Sequence, residues 1–393
     1  MAKVLLVDTN FSSRPIYDAI ARHGHEVHVV GGNPNDCLAK SCPHYWHINY
    51  ADTEALAALV ARERFAFLVP GCTDRSYSSC ATISRGQFPG IESVEVDETL
   101  NHKDRFRALA QRLGLPVPQL QWQDSNDAPI DVSPDPTKLR WPLVVKPVDA
   151  FSGKGVSVLQ RANTAELHKA VQDARAASAR GRCLVETYIV GQLYSHSAFL
   201  KAGQIVHDVF VMEHGIANPF VVDTSRVLPQ VDPALRQQMR QAIEALAKAL
   251  SLGDGLVHTQ FILDGAQPWL IELTRRCPGD LYSQLIELSG GKGYVENYVR
   301  PFLGMSIDTS PSLPYVPILR HTVTVPIAQG FNHVSFHQPV HIERMIPLSL
   351  TGDRLHPSPA SRVGILFARA RNEDDLTQLI KITLARKLYE VVQ

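Results

Sequence analysis

The stretch from Gly255 to Asp280, GLVHTQFILDGAQPWLIELTRRCPGD, constrains this chain most. Leu256 to Leu263 reads as a strand, Asp264-Gly265 as a turn and Pro268 to Thr274 as a second strand. Asp-Gly between two alternating apolar runs is a strong hairpin signal, because the favoured tight turns need positive φ at their centre. Side chains alternate along a strand, so His258, Gln260 and Ile262 share one face of the first strand. Glu272, Thr274 and Arg276 share one face of the second. An amide, a carboxylate, a hydroxyl and a guanidinium can therefore converge from neighbouring strands. Oxygen ligands beside an arginine suit a hard divalent cation that holds phosphate oxygens.

A second stretch, Trp141 to Leu159, complements the first. The apolar strand Leu143 to Val145 delivers Lys146, and Ser152-Gly153-Lys154-Gly155 then turn the chain into the strand Val156 to Leu159. Glycines let backbone amides approach an anion closely, and Lys154 adds charge at the tip. Taken alone the loop is equally compatible with a solvated hairpin carrying incidental lysines, because short glycine loops are weak motifs.

With 393 residues, 45% of them hydrophobic, the chain can bury a large core in about two or three domains. A formal net charge of zero argues against a dedicated nucleic-acid or membrane-surface protein. MAKVLLVDTN is not a signal peptide, and no apolar run approaches the roughly 18 residues of a membrane span. Six scattered cysteines suggest free thiols in a reducing compartment, so a cytoplasmic location is expected.

Near the N-terminus, strands at Lys3–Val7, Glu26–Val30 and Phe65–Val69 alternate with helical runs, which predicts a parallel α/β sheet. The first turn, Asp8 to Ser13, lacks the G-x-G-x-x-G that admits a dinucleotide pyrophosphate. Pro70 to Arg75 follows the third strand, at the carboxyl edge where such sheets bind ligands. Cys37, Cys42, His44 and His47 invite a zinc site, but C-x4-C-x-H-x2-H is not a standard finger, and solvated loop residues are the expectation. Arg105, Arg107 and Arg112 read as the solvated face of a helix from Asn101 to Gly114, and 125–138 as an exposed loop. Met212 to Leu228, with Glu213, His214 and Arg226, reads as either a substrate-facing or a plain surface loop. Further on, a helix over Asp232–Leu250, strands over Ile318–Pro326, Val340–Ile346 and Val363–Ala370, and a helix over Asp374–Leu388 are predicted. His321, His333, His337, His341 and His356 share no ligand spacing.

In order along the chain, these motifs resemble the ATP-grasp superfamily, in its carboxylate–amine ligase and biotin-carboxylase-like branch. The resemblance is carried by Asn101-His102-Lys103, Gly114-Leu115-Pro116-Val117-Pro118, Val144-Val145-Lys146-Pro147, the loop 149–156, Val185-Glu186-Thr187-Tyr188-Ile189-Val190-Gly191, His258-Thr259-Gln260-Phe261 and Ile271-Glu272-Leu273-Thr274-Arg275-Arg276. It spans Lys3 to Gly304 and continues more weakly to the end. The fold it implies is α/β with α+β grasp lobes. A parallel, Rossmann-like pre-grasp domain would fill 1–98, a two-lobed ATP-grasp domain 99–305 with its small lobe near 140–190, and a small C-terminal α/β subdomain 306–393.

The resemblance also implies a site. ATP would be held by Lys103, Lys146, Ser152, Gly153, Gly155, Val156, Glu186, Tyr188, Ile189 and Gln192, and magnesium or manganese by Glu272, Gln260 and Thr274. Arg276 and Lys154 would be catalytic, and Arg226, Arg275 and Asp74 would meet the second substrate. The implied reaction is ADP-forming ligation of a small carboxylic acid or amino acid to an amine through an acyl phosphate. The alternatives are a carboxylase activating bicarbonate and a catalytically weak ATP-binding regulatory protein. The partners implied are small-molecule carboxylate and amine substrates and a second copy in a homodimer, with neither nucleic acid nor membrane.

This chain departs from the family pattern. Leu193 stands where an acidic residue often meets the ribose, with Gln192 beside it as a substitute. Gln260 and Thr274 stand where relatives commonly place a carboxylate and an asparagine, so only Glu272 keeps its charge. Metal affinity is then expected to lean on the nucleotide phosphates. The intact lysines, loop and Arg276 favour an active branch over a protein with impaired turnover. Lys103 and Lys146 are expected to face phosphates rather than a core.

Overall fold

The computed structural model describes residues 1–124, 133–151, 153–291 and 293–393. The chain begins with β1 (Lys3–Val7), α1 (Arg14–Arg22), β2 (Glu26–Gly31), α2 (Cys37–Ser41), β3 (Tyr45–His47), α3 (Thr53–Glu63), β4 (Phe67–Pro70) and α4 (Asp74–Ser84). The four strands are parallel in the order β3-β2-β1-β4. Helices cover both faces of such a sheet, which is why β1 and β4 read as apolar runs without polar alternation. Thr73 caps α4 by accepting from the Ser76 amide at 3.1 Å, and this fixes Asp74 in the first turn beyond β4.

Helices α5 (Val94–Asn101) and α6 (Lys103–Arg112) lead into a small lobe. It comprises β5 (Leu120–Gln123), β6 (Leu143–Pro147), β7 (Ser157–Leu159), α7 (Thr164–Ala177) and β8 (Cys183–Thr187), with antiparallel sheet order β5-β8-β6-β7. Leu167, Ala170, Val171 and Ala174 recur at helical spacing on α7 and bury Leu143, Val145 and Val185 beneath them.

The rest is organised around one sheet. Its elements are β9 (Gln192–Lys201), β10 (Gln204–His214), β11 (Thr224–Val227), α8 (Pro233–Leu250), β12 (Gly255–Asp264), β13 (Gln267–Thr274), α9 (Tyr282–Leu288) and α10 (Tyr294–Val299). Then come β14 (Ile318–Val323), β15 (Gln329–Gly330), β16 (His333–Phe336), β17 (Ile342–Pro347), β18 (Arg354–Leu355), β19 (Gly364–Arg369), α11 (Glu373–Leu384) and β20 (Tyr389–Val392). Eight strands pair antiparallel as β13-β12-β9-β10-β11-β14-β19-β17, so the region 306–393 extends the sheet begun at β9. The short pairs β15–β18 and β16–β20 lie beside it.

Two local expectations change. The loop expected over Met212–Leu228 is strand at both ends, because β10 runs to His214 and pairs with β11. The helix expected to reach Leu388 stops at Leu384, where Arg386 at φ 55° turns the chain into β20.

A single core joins the segments. Val4 and Leu6 of β1, Phe199 of β9, Val211 of β10, Leu256 of β12, Ile318 of β14 and Phe367 of β19 belong to one buried cluster. Each such side chain contributes roughly 1.5–3 kcal/mol on full burial, which fixes the N-terminal sheet against the large one. No described helix is long and apolar enough to cross a membrane.

Candidate active site

The β12–β13 hairpin forms where Asp264-Gly265 predicts it, with Gly265 at φ 59°. Gln260 pairs with Glu272 and His258 with Thr274, and the neighbouring β9 sets Ser195 opposite Gln260. The ladder slips once: Phe261 pairs with Leu270, which leaves Ile271 as an extra residue. The Ile271 carbonyl accepts Arg107 Nη1 at 2.9 Å.

Directly paired residues share a sheet face. The pairs Gln260–Ser195, Ser195–Val211, Glu213–Ser225 and Ser225–Arg320 therefore place Glu213 and Arg320 on the face that carries Gln260 and Glu272. Glu213 is buried, accepts the Ser195 hydroxyl at 2.8 Å and accepts Gln260 Nε2 at 2.8 Å. Burial, reinforced by Glu272, pushes its carboxyl up to about 7 despite those two hydrogen bonds. Glu272 and Gln260 offer oxygens that suit a hard divalent cation, with Glu213 behind Gln260. Thr274 is occupied otherwise: its hydroxyl lies 3.4 Å from Asp74 and accepts the Arg276 amide at 3.3 Å.

Arg276 and Asp74 come together across two segments. Nε and Nη2 of Arg276 reach the two Asp74 oxygens at 2.7 and 2.8 Å, and Nη1 donates to the Cys277 carbonyl at 3.3 Å. Burial opposes the guanidinium charge, but Asp74 more than offsets it and shifts the arginine upward. His258 is pushed down to about 3, first by burial and then by Arg276, and is neutral.

Two sequence-based assignments fall away from this face. Arg226 is offset by one residue from Ser225, so it points to the opposite side and pairs with Glu373 at 2.9 Å. Arg275 is likewise opposite to Arg276. Its Nη2 donates to the Gly253 and Asp254 carbonyls at 2.9 and 3.1 Å and meets Glu92 at 3.0 Å, a role in joining α5's approach to β12.

The small lobe contributes charge. Lys146, the penultimate residue of β6, forms an ion pair with Glu186 of β8. Arg107 of α6, expected on a solvated face, is fully buried and donates Nε and Nη2 to the same carboxylate at 3.0 and 3.3 Å. Lys146 is thus largely buried within a charge cluster, where Arg107 of α6 shares its Glu186 partner. Burial, reinforced by Arg107, lowers Lys146 to about 8 despite Glu186. Burial would raise Glu186, but Arg107 and Lys146 hold it below its ordinary value. Two cations share one carboxylate, so the cluster carries one uncompensated positive charge in a dry setting, which an anion can complete.

Lys103 donates Nζ to the Ala150 carbonyl at 2.7 Å and stands over the Phe151 ring at 5.7 Å, anchoring the loop that follows β6. Gly153 and Gly155 have φ of 70° and 69°, conformations a side chain resists. A Cβ on Gly153 would lie 2.5 Å from that of Phe220, in the connection between β10 and β11. Val156 donates its amide to the Gly153 carbonyl at 3.3 Å, and Lys154 is exposed at the tip. Ser152 lies outside the described residues. Tyr188 and Ile189 sit in the link from β8 to β9, with the Tyr188 amide bound to the Pro142 carbonyl at 3.1 Å. Gln192 Nε2 donates to the Glu213 and Leu193 carbonyls at 2.6 and 2.9 Å.

Sequence reasoning missed Glu213, Arg107 and Arg320. Alternation onward from Val211 would have aimed Glu213 inward once β10 was known to continue. Nothing local marks Arg107, whose partners lie 79 and 164 residues away. Among the described residues, Cys37, Cys42 and His47 join no ligand cluster, and His44 instead meets Glu26 and His28. His28 Nδ1 accepts from Trp46 and its Nε2 then donates to Glu26 at 2.6 Å, a hydrogen-bonded group complete without an ion.

A two-lobed protein with a glycine loop, a buried cationic cluster and an oxygen-lined hairpin is built to clasp a nucleotide. Residues 139–284 match the ATP-grasp domain family. The chain is 29% identical over 327 residues to the formate-dependent phosphoribosylglycinamide formyltransferase of Paraburkholderia xenovorans, covering 79% of this chain and 78% of that one. The L-amino acid ligase of Bacillus licheniformis superposes with TM-score 0.78 at 17% identity, over 100% of this chain and 98% of that one. The biotin carboxylase domain of Hydrogenobacter thermophilus 2-oxoglutarate carboxylase, in complex with MgADP, ADP and bicarbonate, superposes with TM-score 0.75 at 16% identity, over 100% and 90%. The chain thus carries a match to the ATP-grasp domain family over residues 139–284 and shares its fold with these two structures. It is an ATP-dependent enzyme of the ligase and transferase class.

Proposed function

We propose that this chain is an ADP-forming carboxylate–amine ligase that activates a small carboxylic acid as its acyl phosphate. The observation that carries this reading is a pair of charge sets joined by Arg107, which binds Glu186 and the Ile271 carbonyl next to Glu272. Lys146 and Arg107 hold one surplus positive charge around Glu186, and Glu272 and Gln260, backed by Glu213, gather oxygen ligands on the large lobe. Catalysis of phosphoryl transfer is mostly positioning and charge neutralisation, so such a division suits it. Lys146 draws the phosphate chain inward, and the glycine loop covers it with backbone amides. Bound magnesium would neutralise the terminal phosphates, held by Glu272 and Gln260. Arg276, fixed bidentately by Asp74, presents a rigid cation beside the reacting carboxylate. Arg320 adds a second buried cation on the same sheet face.

The acid and the amine are tested by an ADP-release screen with product masses. Amino acids, formate and bicarbonate are paired with amines that include phosphoribosylglycinamide. Formate is included because the curated relative is named for it. Release that requires an acid and an amine together, with a product of their summed mass less water, supports ligation. A bicarbonate requirement would make the chain a carboxylase instead. ATP binding with no ADP release from any pair would make it a regulatory ATP-binding protein.

A further inference from the structure

We propose that Glu213 is a positioning residue for the divalent cation, acting through Gln260, and that it replaces in effect the charge missing from the Gln260 position. The inference rests on the nucleotide-site reading above. Gln260 is a neutral residue paired with Glu272 across the hairpin. An amide serves a cation only when its oxygen faces the ion, and a free glutamine presents oxygen and nitrogen about equally. Here the choice is made by a chain of hydrogen bonds. The Ser195 hydroxyl donates to Glu213 Oε1 at 2.8 Å, so its oxygen accepts from the Tyr282 hydroxyl at 2.5 Å. Glu213 Oε2 takes Gln260 Nε2 at 2.8 Å.

A carboxylate only accepts, so this contact sends the amide nitrogen toward Glu213 and leaves Gln260 Oε1 on the other side. In its ionised form Glu213 also polarises the amide and makes the Gln260 oxygen a better ligand for a cation. Glu213 is enclosed: it is buried, and its backbone carbonyl is bound by Gln192 at 2.6 Å. It therefore acts as an outer partner that orients a ligand, a role whose loss typically lowers metal affinity about 10–100-fold.

The experiment measures manganese binding to the full chain with a non-hydrolysable ATP analogue, by the electron paramagnetic resonance of free manganese. The variants are Glu213→Gln, Gln260→Glu, the double exchange, and Glu272→Gln as reference. Glu213→Gln should weaken manganese binding about tenfold, because a glutamine at 213 no longer dictates which end Gln260 presents. Gln260→Glu alone should bring no gain, since two buried carboxylates would face each other. The double exchange keeps one carboxylate and one amide in the pair and should return affinity to within about threefold of the starting protein. This rescue separates positioning from a merely structural role, and it keeps the test decisive should Glu213→Gln fold poorly. Equal affinity of Glu213→Gln and wild type, or a double variant that binds no better than Glu213→Gln, overturns the proposal. If Glu272→Gln weakens binding while Glu213→Gln does not, the positioning role fails and the cation site stands. If neither weakens it, the cation site fails as well.

Discussion

Arg107 Nε lies 3.0 Å from Glu186 Oε2, and both groups are almost wholly removed from solvent. The same guanidinium reaches the Ile271 carbonyl, freed by the irregular pairing of the metal hairpin. One side chain thus ties the small-lobe lysine, through Glu186, to the large-lobe hairpin. Glu186→Gln should leave two buried cations without a counter-charge. Loss of one partner of a buried pair costs about 3–5 kcal/mol, so chemical denaturation should show a loss of that order. A polyphosphate supplies negative charge to the same place, so saturating ATP should restore part of the melting temperature. Unchanged stability without nucleotide would mean that Glu186 does not neutralise this cluster.

The lysine gives a pH dependence. Lys146 is lowered from 10.5 to about 8 in the folded protein by burial and Arg107. Below about 8 it is charged in both folded and unfolded states. Between about 8 and 10.5 the folded form has lost a proton that the unfolded form keeps, so this group's contribution to stability rises with pH across that window. Nucleotide binding behaves in the opposite way, because the charge that draws phosphate disappears. Affinity for ATP should fall across pH 7 to 9.5, and Lys146→Met should bind weakly with a flat profile. Calorimetric titration of both proteins checks this, and a flat wild-type profile would detach Lys146 from the phosphates.

Much of this could be read from local pattern. Asp264-Gly265 fixed the hairpin, alternation placed Gln260 beside Glu272, and the glycine pair marked the loop. The position of Asp74 just beyond a strand of the parallel sheet was legible, although its partnership with Arg276 was not. The misses share one cause. Arg107, Glu213 and Arg320 acquire their meaning from residues brought near by tertiary packing, and the role of a charged residue stays hidden until its neighbours are known. Arg226 and Arg275 failed for the converse reason: each lies one residue out of phase with the functional face, and that phase is set by strand pairing rather than by sequence.

The Arg276–Asp74 pair predicts strong coupling. Removing either partner leaves the other charged in a largely enclosed place, so Arg276→Ala and Asp74→Ala should each lower stability. Their joint loss should cost less than the sum, with a coupling energy of about 1–3 kcal/mol. Denaturant unfolding of the two singles and the double measures it. Strict additivity would show that the pair does not bind as the structure draws it.

Gly153 has φ 70°, and a Cβ there would lie 2.5 Å from the Cβ of Phe220. Gly153→Ala meets two obstacles, the left-handed backbone and the collision. The backbone term costs about 1–2 kcal/mol, and 1.4 kcal/mol is tenfold in affinity. ATP affinity of Gly153→Ala should therefore fall roughly five- to thirty-fold with little change in melting temperature, because the loop sits outside the core clusters. Phe220→Ala separates the two causes. It relieves the collision but not the backbone strain, so Gly153→Ala with Phe220→Ala should recover only part of the affinity. Complete recovery would show that Phe220 alone enforces the glycine. No loss at all in the single variant would show that the loop binds nucleotide in a conformation other than the one it holds against Phe220.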